Sequence, residues 1–230
     1  MMQKIASENN LSETAFFVQK STTTYHIRWF TPKVEVDLCG HATLAASYVI
    51  FNYLTTNENK IIFNSRSGDL TASQNSDNIT LDFPIATFNK CETYDANLIN
   101  SLKVKPVDVL KGDDYMVVVE SQKIVEDCMP DFNLMANINT RGVIITARGD
   151  KVDFVSRWFG PRVGVPEDPV TGSAHCMLAP YWGAELNKNK LDAEPLSSRL
   201  GKLTCELNNQ RVFLTGRAIP YFNGDINIPE

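Results

Sequence analysis

The pattern of apolar and polar residues predicts short strands around a helix in the first part of the chain. Segments typical of strands, either apolar runs or alternating patterns, lie at residues 15–18, 25–30, 60–63 and 79–83. Residues 41–54 predict a helix that is apolar on nearly every face. Because such a helix must bury all of its faces, we expect protein to surround it. A sheet curled around the helix meets this requirement better than an open layer.

The same order of elements is predicted again further along the chain. Strands near 115–120, 143–148 and 152–159 precede a helix from residue 173, and strands near 202–207 and 211–216 follow it. A short helix over residues 2–10 comes before the first set. Residues 85–113 contain Pro106 and polar stretches, and we interpret them as the connection between two domains.

Direct sequence repeats support this duplication. Arg28–Pro32 returns as Arg157–Pro161, and Ser65–Thr71 returns as Ser198–Thr204. The period of roughly 130 residues is too long for a solenoid, whose repeats span about 20 to 50 residues. The sequence therefore predicts an α+β protein of two pseudosymmetric domains, residues 1–90 and 91–230. Each domain is expected to be a curled mixed β-sheet wrapped around a central α-helix, with a cleft between the two.

The first copy lacks one element of the second. The predicted strand at Tyr115–Val119 precedes the Asn139–Ile145 segment, and its counterpart in the first copy would fall before residue 1. We therefore expect an N-terminally truncated first domain.

Composition limits the classes of function. The chain has 22 basic and 27 acidic residues, a net charge of −5, and no basic run, so nucleic acid is not an expected partner. Its five cysteines are widely spaced without a Cys-x-x-Cys motif, which argues against a disulfide framework and a zinc site. No apolar run approaches the roughly 20 residues that span a bilayer, and no signal peptide is evident. We expect a cytoplasmic protein without membrane contact.

Candidate chemistry lies at the starts of the two central helices. Gly40 and Gly172 precede them, and glycine lets a ligand approach the backbone closely. The unpaired N–H groups of a helix N-terminus favour an anion such as a carboxylate. The alternative is that both glycines serve only turn geometry.

Three ordered blocks around these glycines resemble the signature blocks of the PhzF-like isomerase family of phenazine biosynthesis. The blocks are Leu11–Phe16, Asp37–Ala45 and Gly164–His175. The resemblance implies the diaminopimelate epimerase fold and cofactor-independent isomerisation of small carboxylates, often by a homodimer. The strand and Gly-Asn-Pro loop with which that family opens do not occur in this sequence.

The resemblance also implies roles for individual residues. Glu13 corresponds to the proton-transferring carboxylate, and His41 and Asp168 correspond to the other catalytic residues. No metal ligand or cofactor is implied. The residues expected to bind substrate are those at the two helix starts, namely Gly40, Ala42, Gly172, Ser173 and Ala174.

Each of these assignments has a structural alternative. Glu13 could form only a surface ion pair, and Asp168 precedes Pro169 as in many turns. His41 could be a satisfied buried histidine, and Ser173 could be a helix N-cap. Because helix-start dipoles disfavour imidazolium, the sequence favours a neutral His41.

Cys39 separates two mechanisms. In the related epimerases and racemases, two thiols face each other across the substrate, and Cys39 stands where the first would belong. The opposite place is held by Pro169 and Val170. The sequence therefore favours an isomerase that moves a proton on a small unsaturated carboxylic acid with Glu13 as its single general acid/base. The alternatives are a two-base epimerase or racemase, and a truncated, non-catalytic binding protein.

Overall fold

The computed structural model describes residues 1–54 and 58–227. Residues 55–57 of the expected first domain and residues 228–230 of the second lie outside the described residues. The helices are α1 (Met2–Asn9), α2 (Gly40–Val49), α3 (Ala96–Leu102), α4 (Gln122–Asp127), α5 (Phe132–Met135) and α6 (Gly172–Leu186). None of these helices is long and apolar enough to cross a membrane.

The strands form one continuous mixed sheet. Those of the first copy are β1 (Thr14–Gln19), β2 (Thr24–Phe30), β3 (Glu35–Val36), β4 (Lys60–Ser65), β5 (Gly68–Asn75) and β6 (Asn78–Pro84). Those that follow are β7 (Asn89–Lys90), β8 (Asp108–Lys111), β9 (Tyr115–Val118), β10 (Val143–Arg148), β11 (Phe154–Gly160), β12 (Val165–Asp168), β13 (Lys190–Pro195), β14 (Leu203–Asn208) and β15 (Arg211–Gly216).

The two copies have the same strand topology. In the first, β2 pairs antiparallel with β1 and β3 and parallel with β4, and β4, β5 and β6 follow as an antiparallel meander. In the second, β11 pairs in the same way with β10, β12 and β13, and β14 and β15 complete the meander. The antiparallel pair β6–β15 joins the two halves. The predicted duplication of an α+β unit is confirmed.

Each half curls around its own helix, as the apolar faces of these helices predict. Helix α2 contacts β1 and β6, which lie at opposite ends of the first half's strand order. Helix α6 contacts β13, β14 and β15. On its other side, Trp182 donates a hydrogen bond to Thr146 of β10 at 3.0 Å and stacks on Phe154 of β11. The predicted helix over 41–54 comprises α2 and one π-helical turn, Ile50–Leu54.

The segment between the two copies contains elements that the sequence did not predict. Residues 85–113 form β7, α3 and β8, and the two strands extend the sheet of the second half beyond β9. Helices α3, α4 and α5 then cover the outer face of this sheet with a second apolar core, which includes Leu98, Val125, Ile145, Val155 and Phe159. Their apolar residues are too sparse to stand out as a periodic pattern in short elements.

The two halves differ at their outer strands. Strand β9 lies parallel to β10, whereas β1 pairs only with β2 within the described residues. All residues of β10 except Arg148 are buried, while every residue of β1 is at least partly exposed. The strand that the internal symmetry places beside β1 is thus not found in the part of the chain that the structure describes.

Candidate active site

The N-termini of α2 and α6 meet back to back. A Cβ atom on Gly40 would lie 2.7 Å from the Cα atom of Gly172, and one on Gly172 would lie 2.8 Å from the Cα atom of Gly40. Because both contacts are with backbone, a larger residue at either position would push the helices apart. The first residues of both helices, Gly40, His41, Gly172 and Ser173, consequently line one cleft of about 500 Å³.

The cleft brings most of the predicted residues together. Glu13, His41, Asp168 and Ser173 line it beside the two glycines. The predicted substrate-binding residues Ala42 and Ala174 differ, because their side chains are buried in the core and do not line the cleft. Only their backbone N–H groups remain for a ligand.

His41 lies between two carboxylates that come from different halves of the molecule. Its Nε2 atom is 3.0 Å from Oε2 of Glu13, and its Nδ1 atom is 3.1 Å from the carbonyl oxygen of Val170 and 3.6 Å from Oδ1 of Asp168. Both ring nitrogens therefore face hydrogen-bond acceptors. Only an imidazolium can donate from both nitrogens, so these neighbours favour the charged form of His41.

The electrostatics of the cleft favour the charged form of His41. Burial by itself lowers the pKa of His41, but the neighbouring Cys39, Glu13 and Asp168 raise it well above its usual value. The helix dipole, on which the expectation of a neutral imidazole was based, acts in the opposite direction. Burial raises the pKa of Asp168, while His41 and the Thr171 hydroxyl, which donates to Oδ2 at 2.5 Å, oppose this shift.

Cys39 is the N-cap residue of α2, and its thiol touches the histidine. Its Sγ atom lies 3.7 Å from Nε2 of His41, and burial raises the pKa of the thiol to about 11. The N-cap of α6 is Thr171, so a hydroxyl, not Pro169 or Val170 as the sequence suggested, stands opposite Cys39. Cys176 also lines the cleft, one turn into α6.

The wall opposite Glu13 is built around a buried ion pair that the sequence did not reveal. Arg141 donates to both oxygens of Asp114 at 2.9 and 2.5 Å, and the Trp158 indole N–H donates to Asp114 at 2.9 Å. A Cβ atom on Gly142 would lie 2.3 Å from the Trp158 ring, which leaves no room for a side chain there. The sequence signal that pointed to this region was the repeat, because Gly142 occupies the position in the second copy that Glu13 occupies in the first.

Comparisons with known proteins agree with this architecture. The sequence profile of the PhzC-PhzF family, described as phenazine biosynthesis-like protein, matches residues 1–224. An uncharacterized isomerase of Pseudomonas aeruginosa is 47% identical over 99% of this chain and 87% of its own length. One from Halalkalibacterium halodurans is 44% identical over 98% of this chain and 86% of its own length.

Solved structures give the same result. A PhzF-family protein of Enterococcus faecalis superposes with a TM-score of 0.88 at 44% identity, covering 94% of this chain and 83% of its own. A hydroxyproline epimerase of Agrobacterium vitis, at 12% identity and a TM-score of 0.60, covers 91% of this chain and 72% of its own and shares the fold alone. With its duplicated diaminopimelate epimerase-like fold and its whole-length matches, the chain belongs to the PhzC-PhzF, phenazine biosynthesis-like family.

Proposed function

We propose that the protein is an isomerase that moves a proton on a small unsaturated carboxylic acid, without a cofactor and with Glu13 as its single general acid/base. The observation that carries the proposal is the position of Glu13 in the cleft, 3.0 Å from His41, with no side chain possible at the mirrored Gly142. Relatives of the chain that are named isomerases support the reaction class.

The substrate carboxylate would bind at the paired helix starts. The N–H groups around Gly40 and Gly172 and the positive ends of two helix dipoles favour an anion at this point. The Ser173 hydroxyl lines the cleft beside them. This arrangement would hold the carbon next to the carboxylate or double bond against Glu13. Fixing the two reacting groups in this orientation would accelerate the proton transfer, because they no longer have to meet by diffusion.

Glu13 would then take a proton from that carbon and return it to another carbon of the same molecule. The double bond shifts as the proton leaves one carbon and reaches the other, so Glu13 ends in the state in which it began. A charged His41 beside Glu13 would stabilise negative charge during the transfer. One base reaches one face of the substrate, so the shift is suprafacial.

The alternative is a two-base epimerase of the same fold. One observation favours it, namely that Cys39 lines the cleft. That mechanism requires a second base on the opposite face, but in the second copy the positions equivalent to Cys39 and Glu13 hold Thr171 and Gly142. Under the proposed mechanism, Cys39→Ala loses less than about tenfold in turnover, whereas loss of a catalytic base costs about 10²- to 10⁴-fold. A loss in that higher range would favour the thiol mechanism.

The experiment that tests the proposal is a search for solvent exchange. Small unsaturated carboxylic acids are incubated with the protein in D₂O and followed by NMR for deuterium at carbon. We expect at least one acid to incorporate deuterium with the wild-type protein and none with Glu13→Gln. Exchange that persists in the Glu13→Gln variant, or no exchange across the panel while the acids bind, would contradict the proposal.

A further inference from the structure

Three side chains with different metal-binding atoms converge at the edge of the cleft. A carboxylate oxygen of Glu13, Sγ of Cys39 and a ring nitrogen of His41 all lie within 4.8 Å of one another. Cys39 and His41 are two residues apart at the start of α2, and Glu13 reaches them from the start of β1. Cysteine spacing alone could not reveal this group, because its three members include only one cysteine.

The distances suit a tetrahedral ion. Zinc binds thiolate sulfur at about 2.3 Å and imidazole nitrogen at about 2.0–2.1 Å, so two such ligands of a tetrahedral site stand about 3.6 Å apart. Sγ of Cys39 lies 3.7 Å from Nε2 of His41, and Oε2 of Glu13 lies 3.0 Å from the same nitrogen. Binding would move the Glu13 oxygen a few tenths of an ångström from Nε2, since N and O ligands stand about 3.3–3.4 Å apart. It would also bring that oxygen and Sγ of Cys39, which lie within 4.8 Å of each other, to about 3.6 Å. Three protein ligands leave a fourth position open.

The outer surroundings of His41 are those of a metal-binding histidine. A ligating imidazole usually gives its other N–H to a carbonyl or carboxylate, which fixes the ring. Nδ1 of His41 faces the Val170 carbonyl oxygen at 3.1 Å and Oδ1 of Asp168 at 3.6 Å. The Asp168 side chain is only 6% exposed, and its Oδ1 atom has no hydrogen-bond partner within residues 1–54 and 58–227. Nε2 is thus the nitrogen that faces Glu13. Sγ of Cys39 lies beside the ring, 3.7 Å from Nε2 and 3.8 Å from Nδ1, and would turn toward Nε2 to bind the same ion.

We propose that Glu13, Cys39 and His41 form an inhibitory site for a divalent cation of intermediate softness, with Zn²⁺ as the best match. A thiolate, an imidazole and one carboxylate favour Zn²⁺ or Co²⁺ over Mg²⁺ and Ca²⁺, which prefer oxygen ligands. The ion lies among Glu13, Cys39 and His41, and the protons of Cys39 and of Nε2 pass to solvent. Inhibition rests on the proposed role of Glu13 in proton transfer, whereas binding of the ion does not.

Binding is tested with Co²⁺, which reports its ligands by absorption. We expect a sulfur-to-cobalt charge-transfer band in the near ultraviolet, which excess Zn²⁺ removes and excess Mg²⁺ does not. Cys39→Ala should abolish the band and weaken Zn²⁺ binding measured by calorimetry at least about 100-fold, and Asp168→Asn should weaken binding about 10- to 100-fold through His41. Cys91→Ala is the matched control, because Cys91 is half-buried and does not line the cleft. A band that survives in Cys39→Ala, or none in the wild type, would overturn the site.

Inhibition is tested separately, once an exchanging acid has been found. Each protein's rate with Zn²⁺ is compared with its own metal-free rate. We expect Zn²⁺ to inhibit the wild-type and Cys91→Ala proteins and to require at least about 100-fold more metal for Cys39→Ala. Equal sensitivity of all three would overturn an inhibitory role for this site. If no acid exchanges, the proposed function fails, and the cobalt spectra still decide whether the site binds metal.

Discussion

The two halves of this molecule share a frame, meaning the paired strands and the central helix of each copy, but they differ in the residues at the helix starts. Their strands pair in the same order, and the same ion pair occurs in each, Arg28 with Glu35 and Arg157 with Glu167. In both halves this pair ties the short strand that precedes the central helix, β3 or β12, to the strand beside it. The frame thus fixes both helix starts in the same way.

The residues at those helix starts do not match. The mirrored positions, first half before second, are Glu13 and Gly142, Val36 and Asp168, Cys39 and Thr171, and His41 and Ser173. Each half therefore supplies one acid that the other half lacks, and both acids face His41. The comparison shows that the duplication produced two convergent helix starts, and that departures from symmetry gathered Glu13, His41 and Asp168 in one cleft.

The largest expected effect distinguishes Glu13 from Asp168, the two acids that have no acidic counterpart in the other half. Glu13→Gln removes the basic oxygen while keeping the size of the side chain, so we expect turnover to fall about 10²- to 10⁴-fold. Asp168→Asn keeps an acceptor for Thr171 and acts only through His41, so its loss should be clearly smaller. Turnover of an exchanging acid is measured for both, with the exposed Glu8→Gln as control. Equal losses for the two acids would remove the distinction between them.

The mirrored ion pairs should differ in their contribution to stability. Arg157 is 10% exposed and also donates to the carbonyl oxygens of Val125 and Cys128, whereas Arg28 is 34% exposed. Breaking a buried pair costs about 3–5 kcal/mol, and an exposed pair contributes about 1 kcal/mol or less. Urea unfolding of Arg157→Met and Arg28→Met should show the larger loss for Arg157→Met. Equal losses would mean that the two halves depend equally on their pairs.

The contact between the helix starts can be disrupted directly. In Gly172→Ala the new methyl group meets the backbone of Gly40, and we expect a loss of about 1–3 kcal/mol in the free energy of unfolding. Gly216→Ala is the matched control, because its Cβ atom would meet the flexible end of Leu44 at 3.3 Å and no backbone atom closer than 4.0 Å. Denaturant unfolding of the two variants checks this. A Gly172→Ala variant as stable as Gly216→Ala would show that the helix starts are not in tight contact.

The two histidines near the helix starts predict opposite pH dependences of stability. The pKa of His41 is raised in the folded state, so its contribution is complete below about pH 6.5 and is lost as the pH rises through the folded pKa. Burial lowers the pKa of His175 to about 4, so its contribution is present above pH 6.5 and is lost as the pH falls toward 4.

The free energy of unfolding should change by at most about 1.4 kcal/mol per pH unit on each side, because each histidine exchanges one proton. Free energies of unfolding are measured from acid to mildly alkaline pH for the wild type and for His41→Gln. We expect the variant to lose the decline above pH 6.5 and to keep the decline below it. An alkaline decline that is unchanged in His41→Gln would mean that other groups cause it.

The sequence predicted the frame well because the frame depends on local patterns. Apolar periodicity located both central helices, and the repeated Arg-Trp-Phe segments marked the two equivalent strands. Strands β5 and β13 were missed, since each buries few large apolar side chains among polar ones. Helices α3, α4 and α5 were missed for a similar reason, because they are short and cover only one face of a sheet.

The site was predicted in part. The motif blocks identified Glu13, His41 and Asp168, and the structure places them around one cleft. The raised pKa of His41 could not be predicted, because besides the neighbouring Cys39 it depends on Glu13 and Asp168, which the fold brings from distant parts of the chain. The buried pair of Arg141 and Asp114 was likewise invisible, since each residue alone resembles an ordinary surface charge.

The most direct test of the central claim, that one base acts on one face, is the stereochemical course of the reaction. An exchanging acid is converted in D₂O, and NMR determines which face of each carbon carries deuterium. A single base at Glu13 predicts removal and return of hydrogen on the same face, partial retention of the substrate's own hydrogen in the product, and no inversion of any stereocentre. Deuterium delivered to the opposite face, with inversion at the exchanging carbon, would contradict the account and require a second base across the cleft.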